Sequence, residues 1–427
     1  MSLSARGAPR RDDDIVRAPG RGWLHPFAGA GVDGNTCGSM KMTGSNGSTA
    51  VSDQPALPKP EGLEGVVAAS TALSHVFGEE GRLVYRGYDI HELAGKASFE
   101  EVAYLLWNGR LPTRKELNAL LSSLGEQRPV PGHVIDVIRA LPGDAEPMDA
   151  LRTGVSALGA GGGDQFDNEP DLDEAIALTA KFPGILAAFF RLRQGQEPVI
   201  PKIEHNTAQS YLYQLFGREP EERHWRPLEV YLTLLADHGM NASTFTARVI
   251  ASTGSDLCSS ITGAVGALKG PLHGGANEAV AEMFLDIGSR ERAETWVREA
   301  LVKKHRIMGF GHRVLKKGDA RSIIIQRHAE SLSRICGDHR WYEIATTVNR
   351  VMEQEKGLHP NLDFYTAVAY LLMGIPRELY TPLFVCSRIT GWCAHVIEQQ
   401  DHNRLMRPRA LYTGPSRREY VPLGHRS

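Results

Sequence analysis

Gly270-Pro271-Leu272-His273-Gly274-Gly275-Ala276-Asn277 sets a histidine on a turn of glycines, with a helix pattern directly behind it. Val280, Met283, Phe284 and Ile287 fall on one face of that helix and mark its buried side. Asn277 is read as the N-cap. Gly274 and Gly275 have no side chain to block a ligand and can adopt positive φ. The stretch thus presents an imidazole to a small molecule at a helix start. The positive end of the helix dipole disfavours imidazolium, so a neutral His273 is predicted. Such a ring can donate a hydrogen bond to a carbonyl oxygen without full proton transfer.

Working outward, the dominant pattern is helix, short break, helix. Ser98 and Glu101 form a capping box ahead of Val102, Leu105 and Leu106, and Thr113 and Glu116 repeat it ahead of Leu117, Leu120 and Leu121. Pro129, Pro131, Pro142 and Pro147 punctuate the helices that follow. Arg82–Ile90 reads as a short strand and turn. Leu172–Arg193 reads as a helix with a break or kink at Pro183. Gly159–Gly163 lacks the preceding strand and the following Lys-Ser/Thr of a phosphate-binding loop, and is read as a plain loop. Residues 1–60 are rich in Gly, Ser, Pro, Arg and Asp without apolar periodicity, and are read as a disordered tail.

With 427 residues, the chain is long enough for two domains and needs no disulfide or metal to hold its core. A net charge of −2 gives no global basic field, so neither nucleic acid nor a membrane surface is an expected partner. The longest apolar run, near Gly184–Phe190, stops at Arg191, short of the roughly 20 residues a membrane span needs. The five cysteines are odd in number and include no Cys-x-x-Cys, which fits a reducing, cytoplasmic setting better than a disulfide or zinc framework. Cys386 and Cys393, seven apart, are read as small core residues.

Two further histidines sit on turns. His238 lies in Asp237-His238-Gly239-Met240-Asn241, before a helix whose inner face is expected to carry Phe245 and Val249. His312 lies in Met308-Gly309-Phe310-Gly311-His312-Arg313, amid Lys303, Lys304, His305, Arg306, Lys316, Lys317 and Arg321. That basic cluster suits a polyanionic ligand, although surface lysines are most often simply solvated. Asp363 precedes the apolar helix Thr366–Met373, where the dipole favours an ionised carboxylate. Arg388 and His395 ride on the helix Pro382–Gln399, and Arg404, Arg407 and Arg409 follow. A single histidine is most often structural, but a second on a glycine-flanked turn shifts the balance towards chemistry.

The histidine separations, 35 residues (238 to 273) and 39 (273 to 312), are unlike those of zinc sites, and no Gly-x-Ser-x-Gly elbow occurs. What fits is acid–base chemistry: a carboxylate removes a proton next to a carbonyl, a neutral histidine stabilises the enol, and arginines clamp carboxylates.

Asn241–Thr244 after His238, Gly270–Asn277, Gly309–His312 with Arg321, Pro360–Phe364, Arg388-Ile-Thr-Gly-Trp392 with His395 and Glu398, and Arg407-Pro-Arg occur in one order. On these motifs the chain resembles the citrate synthases, and among them the 2-methylcitrate synthases, from about Leu63 to the C-terminus. The resemblance implies an all-α, two-domain fold. A large helical domain would come from residues 61–273 and 372–427, and a small one from residues 274–371. It implies a homodimer and a reaction that condenses a short acyl-CoA with oxaloacetate and water, releasing CoA. Asp363 would take the α-proton, His273 would hold the thioester oxygen, and His312 would donate to the oxaloacetate carbonyl. His238, Arg321, Arg388 and Arg407 would hold oxaloacetate, with Arg407 reaching in from the partner subunit. Arg306, Ile307, Met308, Gly309 and Phe310 would line the CoA site. Acyl-CoA enters as co-substrate, with no permanently bound cofactor and no metal.

Asp319-Ala320-Arg321 stands where the family has Asp-Pro-Arg, which frees the backbone before the arginine. Asp237 stands where the family often has Glu. The likeness of Gly254–Gly275 and Tyr420–Arg426 to methylcitrate synthases favours propionyl-CoA over acetyl-CoA, yet one methylene is worth only about 1–3 kcal/mol to a pocket, so dual activity is expected. The alternatives are a citrate synthase confined to acetyl-CoA and, in another class, an inactive helical scaffold or regulatory binding protein. The latter predicts a lost acid–base residue, and all are present.

Overall fold

The computed structural model describes residues 61–63, 65–161, 167, 169–311, 318–415 and 417–426. The tail assigned to residues 1–60, the loop Gly159–Gly163 beyond Gly161, and His312, Lys316 and Lys317 lie outside the described residues. Glu61–Leu63 makes one 3-10 turn within the segment that ends at Val66. Val67–Ser427 forms one compact unit.

That unit opens with a small antiparallel sheet, β1 (Ser74–Phe77), β2 (Arg82–Tyr85) and β3 (Tyr88–Asp89), in that order, with Ser74 opposite Tyr85 and Val84 opposite Asp89. β2 and β3 are the predicted strand and turn. β1 was not expected, because Ser-His-Val-Phe has no clear alternation of its own and is held by pairing with β2.

The other described elements are helical. In the first half they are α1 (Ile90–Leu93), α2 (Phe99–Asn108), α3 (Arg114–Gln127), α4 (Gly132–Arg139), α5 (Pro147–Gly159), α6 (Leu172–Arg193), α7 (Thr207–Phe216) and α8 (Glu222–Leu235). Then come α9 (Ala242–Ala251), α10 (Leu257–Lys269), α11 (Ala276–Ile287), α12 (Arg290–Val302), α13 (Ala320–Cys336), α14 (Arg340–Lys356), α15 (Leu362–Met373) and α16 (Tyr380–Asp401). Both predicted capping boxes close, Ser98 with Glu101 on α2 and Thr113 with Glu116 on α3.

α6 runs unbroken through Pro183, so of the predicted break or kink the break does not occur. Glu174 to Phe189 are all buried, against α3, α5, α7 and α16 among others. That packing offsets the roughly 3 kcal/mol an interior proline costs a helix. α6 is also the one described helix long and apolar enough to cross a membrane, and 83% of its apolar window is buried inside the protein, as in a core helix.

α16 is the second central helix and packs against α2, α6, α8, α9 and α10. Cys386 and Cys393 are buried on it, and Cys258, Cys336, Cys386 and Cys393 are all free thiols. α11 to α15 pack chiefly on one another, and α13, α15 and α11 also touch α8 and α16. On α9 the expected inner face is wrong. Ser243, Thr244, Ala247, Arg248 and Ala251 face inward, while Phe245 and Val249 are half-exposed. The polar residues point in because Arg248 and Ser243 bond to groups on α16 and on the His273 turn.

Candidate active site

The His273 turn lies between α10 and α11. Its amide donates to Gly270 O at 2.9 Å and the Gly274 amide to the same oxygen at 3.0 Å. Gly275, at φ +84°, is the N-cap of α11. Asn277 is therefore not the cap; it sits in the first turn with its side chain buried, because the left-handed glycine already turns the chain two residues earlier. Gly274 is needed for room: a Cβ there would lie 2.3 Å from Leu268 O. Val280, Met283, Phe284 and Ile287 are buried as predicted.

The ring of His273 is half-buried and oriented from behind. The amide N–H of Ser243, which can only donate, points at His273 Nε2 at 3.2 Å, and Ser243 Oγ lies 2.8 Å from the same nitrogen. Trp392 Nε1 on α16 donates to Ser243 Oγ at 3.2 Å, so the hydroxyl hydrogen turns towards Nε2 or towards Asn241 Oδ1 at 2.7 Å. Nε2 is thus an acceptor, and the proton of the neutral ring resides on Nδ1. Burial, with Arg388 nearby, lowers the His273 pKa to about 4. The predicted neutrality holds, but its cause is desolvation and a neighbouring guanidinium rather than the helix dipole.

Asp363 is the second residue of α15 rather than a residue before it; the helix starts earlier because Asn361 caps it. Asn361 Oδ1 accepts the Asp363 amide at 3.1 Å, Asn361 Nδ2 donates to Gly311 O at 3.1 Å, and the Asn361 amide donates to Gly309 O at 2.9 Å. The stretch that leads to His312 is thereby fastened to the N-terminus of the Asp363 helix. Gly309, at φ +81°, has no room for a side chain: a Cβ would lie 2.8 Å from both Phe364 Cδ2 and Val280 Cγ2. Asp363 keeps part of its surface open, yet the protein around it raises its pKa to about 6. Desolvation and Asp319 push it up, while Arg321 and Arg388 pull it down. The sequence-based expectation of a dipole-stabilised carboxylate is outweighed by this desolvation.

Arg321 and Arg388 are both buried. Arg321 Nε donates to Asp319 Oδ1 at 2.9 Å and Nη2 to Oδ2 at 2.8 Å, and Asp319 also caps α13 and accepts the Leu362 amide at 3.1 Å. A two-point bond fixes this arginine even with Ala320 in place of proline. Arg388 Nε donates to Leu235 O at 2.7 Å, and its guanidinium stacks over Phe384. Burial lowers its pKa to about 10, with Asp237 opposing the shift, so it remains a cation at neutral pH. His238 is half-buried on the turn between α8 and α9.

The remaining predicted residues are spread more widely. Arg306 is exposed and Met308 half-buried, while Ile307 and Phe310 are buried in the core, Phe310 edge-on to Phe364 at 4.7 Å. Arg407 is exposed on the segment after α16, one residue beyond Met406, whose amide donates to Ser252 Oγ at 3.0 Å. Sequence reasoning assigned no task to Ser243, Trp392 or Asp319. Ser243 and Asp319 carried a signal, as polar residues at helix starts; Trp392 had none, since its partner is about 150 residues away in the chain.

α16 approaches the α8–α9 turn through Gly391, whose amide donates to Ala236 O at 3.1 Å. A Cβ at this position would lie 2.4 Å from Ala236 O and 2.5 Å from Asp237 Oδ1. Gly391→Ala is expected to destabilise the protein by about 1–3 kcal/mol through overpacking against backbone, read as a lower denaturation midpoint. An unchanged midpoint would contradict this close approach.

Known proteins share this sequence and fold. The family described as citrate synthase, C-terminal domain, matches residues 62–409. The chain is 46% identical to citrate synthase 2 of Bacillus subtilis over 369 residues, covering 86% of this chain and 99% of that one. It is 42% identical to 2-methylcitrate synthase 1 of Corynebacterium glutamicum over 374 residues, covering 86% and 98%. Citrate synthase from Thermoplasma acidophilum, solved as a ternary complex with carboxymethyl coenzyme A and oxaloacetate, superposes with a TM-score of 0.80 at 36% identity, covering 86% and 99%. A neutral histidine, a carboxylate of raised pKa and two buried arginines thus stand in a helical frame shared with these enzymes over nearly their whole length, and the chain belongs to the citrate synthase family.

Proposed function

We propose that this protein condenses a short acyl-CoA, acetyl-CoA or propionyl-CoA, with oxaloacetate and water to give citrate or 2-methylcitrate and free CoA. The observation that carries the reading is that the charge of Arg388 acts both on Asp363, held near pKa 6, and on a neutral His273 whose proton is on Nδ1. Asp363 takes the α-proton of the acyl group, and His273 Nδ1 donates a hydrogen bond to the thioester oxygen as the enol forms. The enol carbon attacks the carbonyl carbon of oxaloacetate, and His312 supplies the proton to that carbonyl's oxygen. Water then adds to the thioester carbon and CoA leaves as the thiol. Arg321, Arg388 and His238 hold the carboxylates of oxaloacetate, and Arg407 adds a further contact from the partner subunit. The CoA moiety lies along Arg306–Phe310, where exposed Lys303, Lys304, His305 and Arg306 meet its phosphates.

α11–α15 act as the small domain, which closes over α8, α9 and α16 and keeps water from the enol. The protein works in the cytoplasm as a homodimer. The half-exposed Phe245 and Val249 on α9, and the exposed Leu411, Tyr412, Tyr420 and Leu423 after α16, supply apolar surface for a second copy.

The test is release of free thiol from each acyl-CoA with and without oxaloacetate. Release is expected from both acyl-CoA substrates, only with oxaloacetate present, with kcat/KM ratios within about 200-fold of one another. No release from either would overturn the reading. Release from acetyl-CoA alone would confine the protein to citrate formation.

A further inference from the structure

Behind the α8–α9 turn lies a chain of buried polar groups that the reaction itself does not use. Asp237 is fully buried. Its Oδ2 accepts from Ser74 Oγ on β1, from the Gly239 amide at 3.3 Å and from His395 Nε2 at 3.3 Å. Ser74 Oγ in turn accepts the Gly239 amide at 2.9 Å. The direction of the His395 bond is fixed from its far side. Arg248 Nη1, which can only donate, lies 3.2 Å from His395 Nδ1, so Nδ1 accepts and Nε2 carries the hydrogen given to Asp237. Arg248 is anchored by Glu398 Oε2 at 2.7 Å and Gln399 Oε1 at 3.0 Å, and Glu398 Oε1 accepts the Ala72 amide at 2.8 Å. His395 is wholly buried, and the chain runs from α9 through α16 to the residue before His238.

The same carboxylate faces the cation behind the site. Arg388 and Asp237 influence each other's charge, and Arg388 hydrogen-bonds Leu235 two residues earlier. The turn 235–239 is thus held on one side by Arg388 and Gly391, and on the other by Tyr85, whose hydroxyl donates to Asp237 O at 2.9 Å. The Arg248–His395–Asp237 chain and Ser74, itself bonded to Asp237, meet at the Gly239 amide, which follows His238 directly.

We propose that His395 is a positioning residue for oxaloacetate: relaying the fixed orientation of Arg248 to Asp237, it holds Asp237 against Gly239 and Ser74 and so aims His238, with Arg388, at the keto-diacid. Burial alone would raise the Asp237 pKa, but His395 and Arg388 hold it below the ordinary value, consistent with a permanent carboxylate at this place. A residue with this task affects the keto-diacid and leaves the acyl-CoA alone. The inference rests on oxaloacetate being a substrate, as proposed above.

Steady-state kinetics of the full-length chain with His395→Leu, His395→Gln and Ser74→Ala test it. Leucine removes both the acceptor and the donor and leaves Asp237 and Arg248 short of partners, so the KM for oxaloacetate should rise about tenfold or more. The KM for acyl-CoA and kcat should stay within about twofold of the wild type, since the acyl-CoA groups are untouched. Glutamine carries both an acceptor and an N–H donor and should restore the oxaloacetate KM. Ser74→Ala loosens the far end of the chain without changing the histidine and should reproduce the oxaloacetate-specific rise, which keeps the test decisive if the leucine variant folds poorly. An unchanged oxaloacetate KM in Ser74→Ala and His395→Leu, a loss shared equally by both substrates, or a glutamine variant as impaired as the leucine one would overturn the proposal. If the wild type itself releases no thiol, the functional reading falls and takes this inference with it, so the two failures are told apart.

Discussion

Replacing Asp363 with asparagine is expected to lower kcat by about 10²–10⁴-fold while oxaloacetate still binds, because asparagine keeps the size of the side chain and cannot take a proton. Arg321 and Arg388 flank this position and remain in the variant. The same substitution is expected to make the ligand-free protein more stable. A carboxylate raised from 3.8 to about 6 binds its proton more tightly in the folded chain than in the unfolded one. The folded state therefore loses stability as pH rises from about 4 to about 6 and carries the full penalty above that, at most about 3 kcal/mol. Asp363→Asn removes the penalty, so its melting temperature at pH 7 should exceed that of the wild type. In the wild type kcat/KM should fall as pH drops through about 6, where the base takes up its proton. Rapid turnover by the variant, or a melting temperature below that of the wild type, would remove Asp363 from its assigned place.

His273→Ala should cost about 10²–10³-fold in kcat, the range for losing one preorganised donor to a developing oxyanion. Oxaloacetate binding should be spared, since Nε2 of the ring is held by Ser243 and the proposed reaction directs Nδ1 to the acyl group. Because its pKa is depressed to about 4, His273 should add no titration between pH 5 and 9. The acid limb of the rate profile then belongs to Asp363, and the two single variants assign it independently. A pH profile whose acid limb vanishes in His273→Ala but persists in other variants would reverse the assignment.

The sequence carried the helical architecture because its signals are local. The capping boxes of α2 and α3 lie within four residues each, and the buried stripe of α11 follows its own period. The glycine turn that carries His273 was legible for the same reason, and the start of the Asp363 helix to within a few residues, since such signals lie within ten residues of each other. The charge states were legible only in part. The helix dipole was a local argument, whereas desolvation and guanidinium groups from α13 and α16 set the pKa values of His273 and Asp363. The inward face of α9 was misread because Phe245 and Val249 are the larger apolar residues, while Ser243 and Arg248 are drawn inward by partners on α16 and the His273 turn. Pro183 misled similarly, since nothing within α6 reveals that packing on every side sustains the helix through a proline.

The most direct measurement is product analysis by mass spectrometry after incubating the wild type and Asp363→Asn with oxaloacetate and acetyl-CoA or propionyl-CoA. The expected result is citrate or 2-methylcitrate from the wild type in amounts equal to the free thiol, and neither product from the variant on the same timescale. Thiol released by the wild type together with free acetate or propionate, and with oxaloacetate unconsumed, would show thioester hydrolysis without carbon–carbon bond formation and would contradict the account.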